Sequence, residues 1–238
     1  MLAIGCCGPP PPSDVLADIG HAPGTPGVGA HGLTFNRFHD PNPQIPILTP
    51  LMTTRASGST IVVSQGRGDF AAFAAPTDNM GNAPYQQLDT AHPYTQYPQS
   101  GTAVYAFPAV LGGSGDVLTS QTPHDDEITV AAVEIVDGTH VQAAAWTEVL
   151  GGNKLTSATV TTTGPASLVA YWWGDADGSV GHTAVPDSGF TVVEKLLDQG
   201  SLVQCAMAVK TVAAAGSYNV TWAATPIQGA QMWLIAIQ

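Results

Sequence analysis

Basic residues are scarce in this chain: six lysines and arginines stand against eighteen carboxylates in 238 residues, a net charge of −12. No two of the six are adjacent. A phosphate-tracking face needs clustered Lys and Arg, so nucleic acid is excluded as a partner. Cysteine is scarce too. Three thiols, Cys6, Cys7 and Cys205, do not make a disulfide framework. No apolar run reaches the roughly 18 residues that would span a bilayer. The start, Met1-Leu-Ala-Ile-Gly-Cys6, lacks the charged leader and apolar stretch of roughly 7–15 residues of a secretory signal. The expectation is a chain made without a cleaved leader, or one already trimmed of it. Helix-forming stretches are missing as well: the nearest, Val193-Glu-Lys-Leu-Leu-Asp198, is too short to stand as a helix.

Glycine (26) and proline (19) are abundant, and charged residues make up only 10%. Gly and Pro oppose helix and punctuate strands. Between them lie short β-branched runs: Thr60–Ser64, Thr102–Phe107, Asp116–Thr119, Glu127–Val136, Val141–Thr147 and Ser157–Thr162. That spacing predicts an all-β chain with a β-sandwich or jelly-roll-like fold. Residues 1–50 read as an extended arm, with Pro9-Pro-Pro-Pro12, Pro41-Asn-Pro43 and Pro46. A segment of this composition cannot order itself by burial. It is expected to gain order from a neighbouring subunit, in a homo-oligomer or a lattice. Cys6 and Cys7 in that arm are candidates for an inter-chain disulfide, with free thiols as the alternative. Cys205, in an apolar run, is expected to be buried.

An internal repeat divides the rest into two related halves, 51–150 and 151–238. Ser59–Gly66 aligns with Ser167–Gly174, and Gly81 and Leu88 with Gly189 and Leu196. Gly115–Thr119 then aligns with Gly216–Val220, and Ile128–Glu134 with Met232–Gln238. Four blocks in one order point to duplication.

Asp78-Asn-Met-Gly81-Asn82 with Tyr85 and Leu88, then Val104-Tyr105, Gly112-Gly113 and Val117–Thr122, resembles the D-x-x-G-N-x-Y pattern of a broad group of bacterial and phage β-sandwich proteins. The stretch from Gly189 through Ala214–Thr221 is similar to that group's second half. The resemblance covers roughly residues 55–238. Ala83-Pro84 departs from it, and a proline there suggests an edge position. It implies a structural or adhesive module of phage particles or secreted surface proteins, with no catalytic residues to carry over.

Individual residues suggest several sites. Asp175 and Asp177 precede Gly178 at alternate positions, as at the start of a calcium loop, although the bidentate glutamate is missing. A hairpin turn is the plainer reading, as it is for Asp78 and Asn79. Trp172 and Trp173 are adjacent, so on a strand they face opposite sides. Simple packing of both is the plainer reading; the alternatives put one in the core and the other outward, as a subunit contact or a sugar-stacking residue. Tyr94, Tyr97 and His92, in a Pro-punctuated loop, are a second candidate glycan surface, with ordinary loop anchors as the plainer reading. Arg67-Gly68-Asp69 and His124-Asp-Asp-Glu127 read as a turn and a solvated cluster. None of the H-E-x-x-H, C-x-x-C, G-x-S-x-G or phosphate-loop patterns occurs. The sequence thus points to a non-enzymatic component of a virion surface, capsid or tail, built without a cofactor unless Ca2+ binds. A glycan-binding adhesin at a cell surface is the alternative. A hydrolase with two carboxylates facing one cleft is the third reading.

Overall fold

The computed structural model describes residues 24–37, 40–68, 73–121, 127–175, 181–198 and 203–238. Among the described residues the fold is all-β, a sandwich built on two large antiparallel sheets. The first sheet runs in the order β1 (Gly27–Asn36), β11 (Ile128–Val136), β4 (Ser59–Arg67), β8 (Gly101–Phe107), β6 (Gln86–Gln87). A further short strand, β7 (His92–Pro93), also pairs with β8. Three more short strands, β2 (Ile47–Leu48), β10 (Leu118–Ser120) and β5 (Thr77–Asp78), form a small sheet. Next to it in sequence, β3 (Met52–Thr53) pairs with β9 (Ser114–Asp116).

The second large sheet repeats that order: β12 (Val141–Thr156), β19 (Thr221–Ile237), β14 (Ala166–Asp175), β17 (Val203–Val212), β16 (Thr191–Leu196). One short strand, β15 (Thr183–Pro186), adds to β19, and β13 (Val160–Thr162) pairs with β18 (Gly216–Tyr218). The segment Val193–Leu196, the nearest to a helix in the sequence, is part of β16.

Two boundaries need correction. Residues 27–36, expected in the arm, form β1 and pair with β11 of the same chain, and Ile47–Leu48 pairs with β10. Residues 1–23 lie outside the described residues. The strand from Val141, expected to close the first half, belongs to the second sheet, so the halves divide between Val136 and Val141.

Each large sheet is buried on both faces. Val62, Val104, Val133 and Ile135 meet Val169, Tyr171, Met207 and Ile235 in a core between the two sheets. On the outer face of the first sheet, Ile61, Val63 and Tyr105 pack on Ile47, Tyr85 and Leu118 of the covering loops and short strands. On the outer face of the second, Leu168, Ala170 and Trp172 pack on Val160, Val220 and Trp222. With neither face wet, the strands read as continuous apolar runs instead of alternating ones.

The repeat is real in topology but shifted in register. Matching strand starts (Ser59 with Ala166) places Val62 opposite Val169, and both face the core between the sheets. Thr60, not Ser59, is then the counterpart of Ser167. A one-residue slip turns a strand over, and the sequence alignment of this block had the faces reversed. The two sheets pack as an exchange of halves would require: β1 against β16, β11 against β17, β4 against β14, and β8 against β19. The arrangement is a pseudo-two-fold.

Two turn elements show why particular residues are needed. Asp78 receives the N–H groups of Met80 and Asn82, the Asn82 amide and the Tyr85 hydroxyl, at 3.0, 3.3, 2.7 and 3.0 Å. Gly81 supplies the left-handed conformation at φ 88°. The aspartate therefore organises its own turn, and burial with this neighbour pushes the Tyr85 phenol well above its ordinary range. In β1 a bulge between Val28 and His31 is held by buried Glu134, which accepts the Ala30 N–H at 3.1 Å. Gly29 must be glycine, because a Cβ there would stand 2.4 Å from the Glu134 carboxylate.

Candidate binding surface

The aromatic pair is entirely structural. Trp172 fills the outer core of the second half and Trp173 the core between the sheets, with exposures of 0% and 3%. Adjacent residues do point to opposite faces, but both faces are covered. Neither indole is available to stack on a sugar or a neighbour: both pack, as the plainer reading had it, and the outward-facing candidate binding role of either is overturned. Tyr94 is buried as well, its ring edge-on to Trp173 at 6.0 Å. Tyr97 is exposed at 53%, 6.0 Å from Tyr94.

His92 sits where the two halves meet. Its ring stacks flat on Trp146 of β12, with centroids 4.0 Å apart, and Nε2 lies 3.1 Å from Asp89. A hydrogen bond from the Thr90 N–H, followed by the one to His92, holds the Asp89 carboxyl below its ordinary value. The His92 carbonyl accepts the Gln231 amide at 3.2 Å. Gln231 Oε1 in turn takes the Thr102 hydroxyl at 2.6 Å, and Thr102 Oγ1 accepts the Trp233 indole N–H at 2.8 Å. This buried chain joins β8 to β19 and serves cohesion between the sheets.

The calcium expectation acquires no geometry. Asp175 ends β14, its side chain and Asp177 lie outside the described residues, and so do Cys6 and Cys7. Among the described residues no three His, Cys, Asp or Glu side chains are grouped to hold a metal ion. Arg67 is fully buried near Phe73, so the arginine of the Arg-Gly-Asp tripeptide is not displayed. Asp69 and 124–126 lie outside the described residues. Cys205 is buried, and desolvation pushes its thiol up to about 12. No helix among the described residues is long and apolar enough to cross a membrane.

A concave feature of the described surface lies elsewhere. A groove of about 450 Å³ runs between β6 and the start of β12, with Gln86, Gln87, His140 and Gln142 among its polar lining and Leu88 and Ala144 among its apolar lining. Its origin is a break in the pseudo-two-fold. At the opposite edge, β1 meets β16, and His31 Nδ1 lies 2.7 Å from Glu194 Oε1, both side chains mostly buried. The ladders make Ala144 the counterpart of His31: His31 is joined through Val133 to Val62, and Ala144 through Ile235 to Val169. A methyl replaces an imidazole. Where β16 has six residues, β6 has two. The space that side chains occupy at one edge is left open at the other.

Gln142 is fixed in this groove. Its Nε2 donates to Thr163 Oγ1 at 2.8 Å, and that hydroxyl donates to Gln238 Oε1 at 3.1 Å. The backbones of His140 and Gln238 exchange hydrogen bonds of 2.7 and 2.8 Å. Beside the groove, β12 pairs only with β19, so its other edge has no neighbouring strand among the described residues. Further along, where β12 and β19 bulge, Leu150 of β12 and Ile227 of β19 stand exposed, at 53% and 73%. Sequence reasoning missed these features, because Gln86, Gln87, His140 and Gln142 carry no periodic or motif signal of their own.

Comparisons of the chain with family models, curated proteins and solved structures found no match.

Proposed function

We propose that the chain is a non-enzymatic building block of a surface assembly, of the virion decoration or tail-surface kind, joined to further copies of itself. The observation that carries this reading is the unpaired edge of β12, a 16-residue strand, with Leu150 of that strand and Ile227 of the neighbouring β19 exposed where the two strands bulge. Long open edges are templates for pairing with another chain, and proteins that stay apart protect them with lysines, prolines or bulges. β12 has register shifts between Val141 and Ala143 and on both sides of Gly152, and a lysine, Lys154, but the regular run between them, Ala143–Val149, carries a single charge, Glu148, and no proline. The opposite edge strand, β1, is bulged, and its face is pinned by the His31–Glu194 contact. The resemblance to phage β-sandwich modules agrees with a role in assembly.

Sedimentation equilibrium of the full chain tests the reading. The expected result is concentration-dependent self-association that disappears in a Leu150→Lys, Ile227→Lys variant, whose substitutions lie on exposed positions. A wild-type chain that stays monomeric up to high micromolar concentration would overturn it.

A further inference from the structure

We infer that the groove between β6 and β12 is a binding site for a neutral carbohydrate. This stands apart from the assembly reading, since it concerns the face of the groove and not the pairing of the strand edge.

The lining decides the ligand class by elimination and then by fit. An anionic ligand would meet no Lys or Arg in the lining, on a chain of net charge −12. A metal cation would find no carboxylate there. A wholly apolar ligand would leave the Gln86 amide, on the Ala106 face of the sheet, and the His140 imidazole desolvated without partners, a cost it cannot offset. What remains is a neutral ligand dense in hydroxyls. Each glutamine amide offers donors and an acceptor side by side, which suits a pair of neighbouring hydroxyls. Leu88, Ala106 and Ala144 add apolar lining that can meet the C–H face of a sugar ring.

Preorganisation adds a second, independent argument. Both ends of the Gln142 amide engage Thr163, whose hydroxyl is in turn held by Gln238, so the one N–H and one lone pair left over are fixed without further loss of rotamer freedom. Gln86 and Gln87 are exposed on a strand held by Ala106 and Tyr105 of β8. The volume of about 450 Å³ lies within the range of small-molecule sites. The groove also exists for a specific reason, the replacement of a clamped histidine by Ala144 at the equivalent edge, and not through loose packing.

The test is an array of neutral oligosaccharides carrying glucose, galactose, rhamnose and N-acetylhexosamine units, followed by saturation-transfer NMR of the full chain with each hit. The expected result is at least one neutral glycan that contacts the protein. Its affinity should fall about tenfold or more in a Gln86→Ala, Gln87→Ala variant, the loss of roughly one good hydrogen bond. A Tyr97→Ala variant should bind as wild type does. Absence of any hit at millimolar ligand, binding unmoved by the double substitution, or selection of acidic glycans alone would each overturn the inference. So would displacement of the sugar by an extended peptide that binds the same groove more tightly. Because the two glutamines are exposed, thermal unfolding of the double variant should match wild type, which separates loss of a ligand contact from loss of fold.

Discussion

Replacing Asp116 with asparagine should stabilise this protein at neutral pH and leave it unchanged or slightly weaker in acid. Asp116 lies in β9 with no exposed surface; one carboxylate oxygen takes the Thr54 hydroxyl at 2.8 Å, and the other has no partner among the described residues. Burial, with smaller contributions from the like charges of Asp78 and Glu134, pushes its carboxyl up to about 6 from an ordinary 3.8. The folded protein therefore holds this proton more tightly than the unfolded chain does. Between about pH 4 and pH 6 the folded state carries more of it, so stability falls as pH rises through that window. The sign is opposite to that of a salt-bridged aspartate. A shift of about two units corresponds to about 3 kcal/mol of lost stability at pH 7. An asparagine cannot ionise, but its buried amide N–H groups cost about 1 kcal/mol if only partly paired. The net expectation for Asp116→Asn is a gain of about 1–2 kcal/mol at pH 7.5, vanishing near pH 4. Urea unfolding from pH 4 to 8 measures it. The quantity to plot is the difference between wild type and variant, which cancels the titration of every other carboxylate. A difference that stays flat with pH, or grows in favour of wild type as pH rises, would refute the reasoning.

Gly66→Ala should cost about 3 kcal/mol, because its Cβ would stand 2.1 Å from Cδ1 of the buried Trp173 indole, between two packed sheets. Chemical denaturation would show this as a lower midpoint, and an unchanged midpoint would mean the two sheets are not held at this separation. Cys205 should resist alkylation in the folded protein at pH 8, since a buried thiol pushed up to about 12 offers almost no thiolate. Peptide mapping after iodoacetamide, with and without urea, separates it from Cys6 and Cys7, and native-state labelling at Cys205 would contradict the packing.

Much of the fold could be read from residue order, and the failures share one physical cause. β-Branched runs between glycines and prolines located β4, β8 and β11, and the repeated blocks placed β14 and announced two halves with one topology. The register of that repeat slipped by one because alternation between apolar and polar residues is what normally anchors a strand to a face. In β4 and β14 both faces are apolar, so the anchor is missing. The same double burial removes the outward-facing alternative for Trp172 and Trp173: their opposite orientations were legible, whereas the cover over each face was not. β1 escaped notice for another reason. Its sequence, Gly-Val-Gly-Ala-His-Gly-Leu-Thr-Phe-Asn, places three glycines where a strand signal needs side chains, and Gly29 is there to admit the Glu134 carboxylate, 105 positions away in sequence.

The groove was beyond sequence reasoning because it belongs to no single segment. It arises from a comparison the chain makes with itself in space: β1 against β16 at one edge, β6 against β12 at the other. Two copies of one sandwich related by an exact two-fold would carry the same clamp at both edges, and neither edge would bind anything. Duplication within one chain frees the edges to diverge, because a change in β12 no longer changes β1. His31 and Glu194 can hold one edge shut, which keeps the sheets in register, while Ala144 and a shortened β6 open the other. Stability and recognition are thereby assigned to opposite ends of one interface, and a substitution at either end is expected to affect one property without the other.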